Sequence, residues 1–110
     1  MSDMEKSGTQ KLLLSLGLCA RARALICGVP MICDALKRSE KNAPFLVLEA
    51  ADTSENTHKR ITDKCIYYKK CHVRLICTGE ELAAAVGKSA SIGAVAITDT
   101  NFVRLIEKYI

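Results

Sequence analysis

The chain has 110 residues, of which 49% are apolar and 25% charged, with a formal charge of +4. That is enough for one domain and too apolar for a disordered chain, and the basic excess fits an acidic or polyanionic partner. Trp is absent and the aromatic residues are Phe45, Phe102, Tyr67, Tyr68 and Tyr109, so the core is aliphatic; no run approaches the ~18 consecutive apolar residues of a membrane span.

Residues 1–10 mix charges with small polar residues and lack the apolar stretch of a secretory signal. Residues 1–8 are expected to be unstructured, and residues 9–110 to form a single domain. Thr9 is a good N-cap, and from it Leu12, Leu13, Leu16, Cys19 and Ala20 recur at helical spacing. Ala24, Leu25, Ile26 and Cys27 form a short apolar strand stopped by Gly28. Ile32, Ala35 and Leu36 then share one face of a helix ending near Arg38 or Ser39, and residues 39–44 are a loop. Phe45, Leu46, Val47 and Leu48 read as a buried strand.

Asp52 or Ser54 caps a third helix, whose apolar stripe is Thr57, Ile61, Cys65 and Tyr68. A third strand is expected over residues 73–77. Thr78 with Glu81 is a capping box: the threonine hydroxyl satisfies a free amide and the glutamate reaches back. The helix it opens carries Leu82, Ala85 and Val86 and ends at Gly87. A fourth strand follows over residues 94–98, and Phe102, Leu105, Ile106 and Tyr109 make an amphipathic closing helix. Alternating helices and strands predict an α/β fold, a three-layer α/β/α sandwich with helices on both faces of the sheet.

The six cysteines, at 19, 27, 33, 65, 71 and 77, form no CxxC pair, so the zinc and redox templates both fail. Cys27, Cys65 and Cys77 stand within apolar patterns and behave as small buried hydrophobes. All six are expected to be reduced, which places the chain in the cytoplasm.

No constellation for catalysis emerges, and no metal, cofactor or small-molecule substrate is expected. His58, among Thr57, Lys59 and Arg60, reads as a solvated surface histidine, and His72, at the turn before a strand, reads the same way. Asp52 and Asp99 follow strands and are explained as helix N-caps. The basic residues say more. Arg21 and Arg23 precede the first strand; Lys37, Arg38 and Lys41 cluster at the end of the second helix; Lys59, Arg60, Lys64, Lys69 and Lys70 run along and past the third. Such clusters can neutralise phosphates, and each is equally well an ordinary solvated face. The absence of interleaved aromatics points to a folded RNA shape rather than a loose strand.

Three patches together resemble the bacterial YlxQ-type proteins. One runs from Asp52, Thr53, Ser54, Glu55, Asn56 and Thr57 through Lys59 and Arg60 to Asp63, Lys64, Cys65, Tyr67 and Tyr68. Another is Gly87 and Lys88 followed by Ala94, Val95, Ala96, Ile97, Thr98, Asp99 and Phe102. The third is Gly17 and Leu18 through Arg21 and Ala22 to Gly28. These proteins look like a branch of the ribosomal protein family of the large-subunit 7Ae type. The resemblance implies a four-stranded mixed sheet and an RNA-binding, ribosome- or ribonucleoprotein-associated role, with ribosomal RNA or a kink-turn as the partner. Kink-turn binders of the family read tandem sheared G·A pairs with a Gly opening the second helix, an Asn-Glu pair and a Lys three residues later; a loop before the last strand packs on everted bases.

By that resemblance Gly28 matches the family Gly, Val29 follows it, and Pro30, Met31 and Asp34 replace the Asn, Glu and Lys. Lys88, Ser89, Ala90, Ser91 and Ile92 form the counterpart loop, and Lys37 and Arg38 keep the basic end of the second helix. The departures at positions 30, 31 and 34 weaken the expected kink-turn specificity. The alternative function is a protein-interaction module on the same scaffold that no longer binds RNA, with Pro30, Met31 and Ile32 as a partly exposed apolar surface.

Overall fold

The structure, a computed structural model, describes residues 3–38 and 44–110. Nine elements follow in order: α1 (Asp3–Arg21), β1 (Leu25–Cys27), α2 (Val29–Leu36), β2 (Leu46–Glu49), α3 (Glu55–Tyr67), β3 (Cys71–Arg74), α4 (Gly79–Ala85), β4 (Ala94–Ile97) and α5 (Thr100–Glu107). The four strands form one sheet in the order β1-β4-β2-β3. β4 pairs antiparallel with β1 and β2, while β2 and β3 run parallel, so the sheet is mixed.

Strand side chains alternate between two faces, and each face has its own core. Leu46, Leu48, Val95 and Ile97 meet Leu12, Leu16 and Cys19 of α1, Leu82 of α4 and Ile106 of α5. Val47, Ala94 and Ala96 meet Ile32 and Leu36 of α2 and Ile61 and Cys65 of α3. The small alanines of β4 let α2 and α3 lie close on their side. The result is the expected α/β/α sandwich.

Local chemistry fixes the ends of the elements. The Ser54 hydroxyl accepts the Thr57 amide at 3.2 Å and caps α3. Thr78 and Glu81 form the full capping box of α4, and Asp99 caps α5 by accepting the Asn101 amide at 2.8 Å. Asp52 does not cap α3. Its carboxylate accepts the Gly79 amide at 2.8 Å, which ties the turn after β2 to the start of α4.

The sequence misplaces several boundaries. α1 starts at Asp3 rather than at Thr9, because no proline interrupts the residues before Thr9; the expected unstructured stretch 1–8 is therefore helical over residues 3–8, and Met1 and Ser2 lie outside the described residues. β2 is shifted one residue on, to include Glu49 and leave Phe45 exposed. β3 spans Cys71–Arg74 rather than 73–77 because its register is set by pairing with β2, Leu46 opposite Cys71 and Glu49 opposite Arg74. Leu75 and Cys77 are buried without lying in that strand: apolarity reports burial, and the ladder reports a partner. Of the loop expected at 39–44, residues 39–43 lie outside the described residues, Lys41 with them.

All six cysteines are unpaired; Cys71 is exposed, so it is not part of the interior. Among the described residues no helix is long and apolar enough to cross a membrane.

Candidate nucleic-acid interface

The end of β1 turns into α2 through Gly28, whose φ of 94° and ψ of 139° belong to a region open to glycine and strained for other residues. The Gly28 amide donates to the Ala94 carbonyl at 3.0 Å, so the turn is anchored on the first residue of β4. Gly28 has no side chain to cap α2, Pro30 sits in the first turn, and that turn holds no acidic residue. Helix N-terminal amides and the positive end of the dipole favour an anion at such a place.

Beside it runs the segment between α4 and β4. The Lys88 amide donates to the Ala83 carbonyl at 2.8 Å, and the Ile92 amide donates to the Gly79 carbonyl at 3.2 Å. Ser91 Oγ and the Ile92 carbonyl fill the space a Cβ on Gly79 would need, at 2.5 and 2.6 Å from its position. The segment is thereby seated on the start of α4. Its last residue, Gly93, accepts the Ala50 amide at 2.8 Å and packs against Val29, Thr53 and Thr57.

These pieces enclose an open hollow of about 420 Å³ lined by Gly28, Val29, Pro30, Thr53, Thr57, Arg60, Ser91, Ile92 and Gly93. Five residues singled out from the sequence meet there: Gly28, Val29, Pro30, Ser91 and Ile92. Met31, Asp34, Ser89, Ala90 and Lys88 are exposed outside its lining. Lys88 nonetheless stays near the turn: burial pushes the Cys27 thiol up, and the Lys88 ammonium pulls against that rise. Lys37 and Arg38 are exposed at the opposite end of α2, about 13 Å along the helix axis at ~1.5 Å per residue. Sequence reasoning missed Thr53, Thr57, Arg60 and Gly93 as lining residues. Thr57 and Arg60 are three apart on α3, so one turn presents both; the basic run around Arg60 was legible, but not which of its members turns toward α2.

The reading of both histidines needs correction. Glu49 is fully buried at the end of β2. His58 Nδ1 lies 2.8 Å from its Oε1 and 2.9 Å from its Oε2, and His72 Nε2 lies 2.7 Å from Oε1. The Thr53 hydroxyl donates to Oε2, and Arg74 Nε stands 3.8 Å from Oε2. Burial pushes the Glu49 carboxyl up, but the bonds from Thr53, His58 and His72 outweigh it and hold the group below its ordinary range. His58 starts the inward stripe that continues through Ile61 and Cys65, and His72 shares the α3-facing side of the sheet with Glu49. A glutamate closing an apolar run and a histidine three residues before Ile61 were the available signals.

No protein-family model matches the sequence. The chain is 36% identical over 87 residues to the RNA-binding protein YlxQ of Bacillus subtilis (strain 168), covering 79% of this chain and 82% of that protein. Among solved structures it is similar to a protein of unknown function from Bacillus halodurans C, with TM-score 0.77 and 29% identity over 90% of this chain and 95% of that one. It also matches the Giardia lamblia 15.5kD RNA binding protein, with TM-score 0.67 and 19% identity over 94% and 91% of the two chains, a likeness of fold.

Proposed function

The chain belongs to the YlxQ family, and from that premise we propose that it is a non-catalytic RNA-binding protein that docks structured RNA at the start of α2. The relative in Bacillus subtilis is an RNA-binding protein, and the fold is shared with an RNA-binding protein of Giardia lamblia. The observation that carries the reading is the uncapped N-terminus of α2 beside the loop of Lys88, Ser89, Ala90, Ser91 and Ile92, with Arg60 in the hollow and Lys88 near the turn. Amides and cations there would hold phosphates, while Lys37 and Arg38 form a second basic footing farther along α2. Ribosomal RNA or a kink-turn-like element, in a ribosome or ribonucleoprotein, is the proposed target, with kink-turn specificity weakened by Pro30, Met31 and Asp34. The free thiols fit the reducing cytoplasm.

The test is a titration of a bulged RNA duplex with the full chain over a salt series. Log K is expected to fall linearly with log salt, by ~0.9 per phosphate neutralised. Arg60→Glu with Lys88→Glu is expected to weaken binding at least about tenfold, a loss of ~1.4 kcal/mol. Lys37→Glu with Arg38→Glu should weaken it alike on all sequences. A flat salt response, or binding unaltered by either pair, would overturn the site. The protein-interaction reading has a narrower basis near Gly28, since Ile32 is buried and, among the described residues, Met31, 56% exposed, is the large apolar group open there. Its broader surface is the groove between α1 and α4, where Leu14 and Leu18 are exposed.

A further inference from the structure

We propose that Glu49, His58 and His72 form a binding site for a divalent transition-metal cation of the zinc class. The three side chains come from the end of β2, the first turn of α3 and the start of β3. Sheet register brings two of them together: Val47 is opposite His72 and Glu49 opposite Arg74 in the parallel pair, so Glu49 and His72 project on the side that α3 covers. His58 reaches the same carboxylate from above. One donor atom from each residue lies within 4.8 Å of the other two.

Oε1 is the carboxylate oxygen that both histidines approach, at 2.8 and 2.7 Å. Oε2 receives the Thr53 hydroxyl, faces Arg74 and also lies 2.9 Å from His58 Nδ1. Coordination would use Oε1, His58 Nδ1 and His72 Nε2, while the Thr53 hydroxyl orients the carboxylate through its other oxygen. Zinc binds N and O donors at ~2.0–2.2 Å in tetrahedral geometry, which sets donors ~3.3–3.6 Å apart; each ring nitrogen would part from Oε1 by somewhat over half an ångström, and the two nitrogens, within 4.8 Å of each other, would settle at the same spacing. Two imidazoles and one carboxylate are a set for zinc, cobalt or nickel; magnesium and calcium prefer oxygen alone. The Glu49 side chain is fully buried, whereas that of His58 is 39% exposed, which leaves a solvent route to a fourth position. The Arg74 guanidinium opposes a dication, and this gives the site a diagnostic.

The experiment uses the full chain, freed of metal by a chelator and kept reduced, titrated with zinc and with cobalt(II). The expected result is one equivalent bound, with visible cobalt d–d bands and no thiolate-to-metal charge transfer. His58→Asn and His72→Gln keep a hydrogen-bond donor but lose the imidazole, so they preserve the network; each is expected to weaken the metal at least about tenfold. Arg74→Gln is expected to tighten it. Circular dichroism identifies folded variants, and a zinc-induced rise in Tm that the histidine variants lose serves as a second readout. Absence of saturable binding, thiolate charge-transfer bands, or unchanged affinity in both histidine variants would overturn the proposal and leave a hydrogen-bonded network alone.

Discussion

Gly28 carries two loads at once. Its backbone, at φ 94°, is what turns β1 into α2, and its amide holds the turn on Ala94. A Cβ there would meet nothing within 4 Å, so the strain of a substitution is purely conformational. Gly28→Ala is therefore expected to destabilise the fold by about 1–3 kcal/mol through the backbone alone. Urea unfolding checks this: the midpoint should fall while the m-value stays fixed. A variant as stable as the natural chain would show that the turn adopts another conformation. Gly79 differs, because a Cβ there would collide with the Ile92 backbone; its smallness positions the loop, whereas the conformation of Gly28 positions the helix.

At the scale of elements, the proposed RNA reading makes α2 the part whose surface decides discrimination. Its exposed first turns present Pro30, Met31 and Asp34, where the resemblance expects Asn, Glu and Lys. A bidentate base contact is worth ~1–3 kcal/mol of discrimination, and none of these three side chains can reproduce the contact it replaces. The natural chain is expected to prefer a kink-turn over the same duplex with Watson–Crick pairs in place of sheared G·A by less than about tenfold, or ~1.4 kcal/mol. Pro30→Asn, Met31→Glu and Asp34→Lys together should raise that ratio. Strong G·A-dependent binding by the natural chain would show that the departures do not matter.

The helices and strands themselves were legible because each has a local cause: Ile32 and Leu36 one turn apart on α2, the capping box at Thr78, Asp99 before α5. Gly28 and the loop at 88–92 come to notice only through the resemblance, and the fold brings Gly28, Ser91 and Ile92 to one hollow. What the sequence did not give was whatever depends on register. The partner of Glu49 on β3, the meeting of Thr53, Thr57 and Arg60 with α2, and the convergence of His58 with His72 are set by residues 14 to 31 positions apart, and no local pattern encodes them. Lys37 and Arg38, close to Gly28 in sequence, are parted from it by the length of the helix.

On the scale of the whole molecule, the interior is built partly of thiols, and this makes its stability sensitive to alkali. Burial pushes the Cys19, Cys65 and Cys77 thiols up to about 11 from an ordinary 9.0. They lie on both sides of the sheet, Cys19 and Cys77 with α1 and α4, Cys65 under α3. Between about pH 9 and 11 these thiols stay protonated in the folded chain and ionise in the unfolded one. The unfolded state then binds fewer protons, so stability falls as pH rises; the contribution is complete below pH 9 and is lost through the folded values. Each ionising thiol steepens the fall by up to about 1.4 kcal/mol per pH unit. Urea unfolding in reductant at pH 7, 9 and 10.5 measures the slope. The comparison that decides is with Cys19→Ala and Cys77→Ala: each should be less stable than the natural chain at pH 7, because a buried sulfur is removed, yet lose less stability between pH 9 and 10.5. Equal slopes in all three proteins would show that the thiols ionise without unfolding the core.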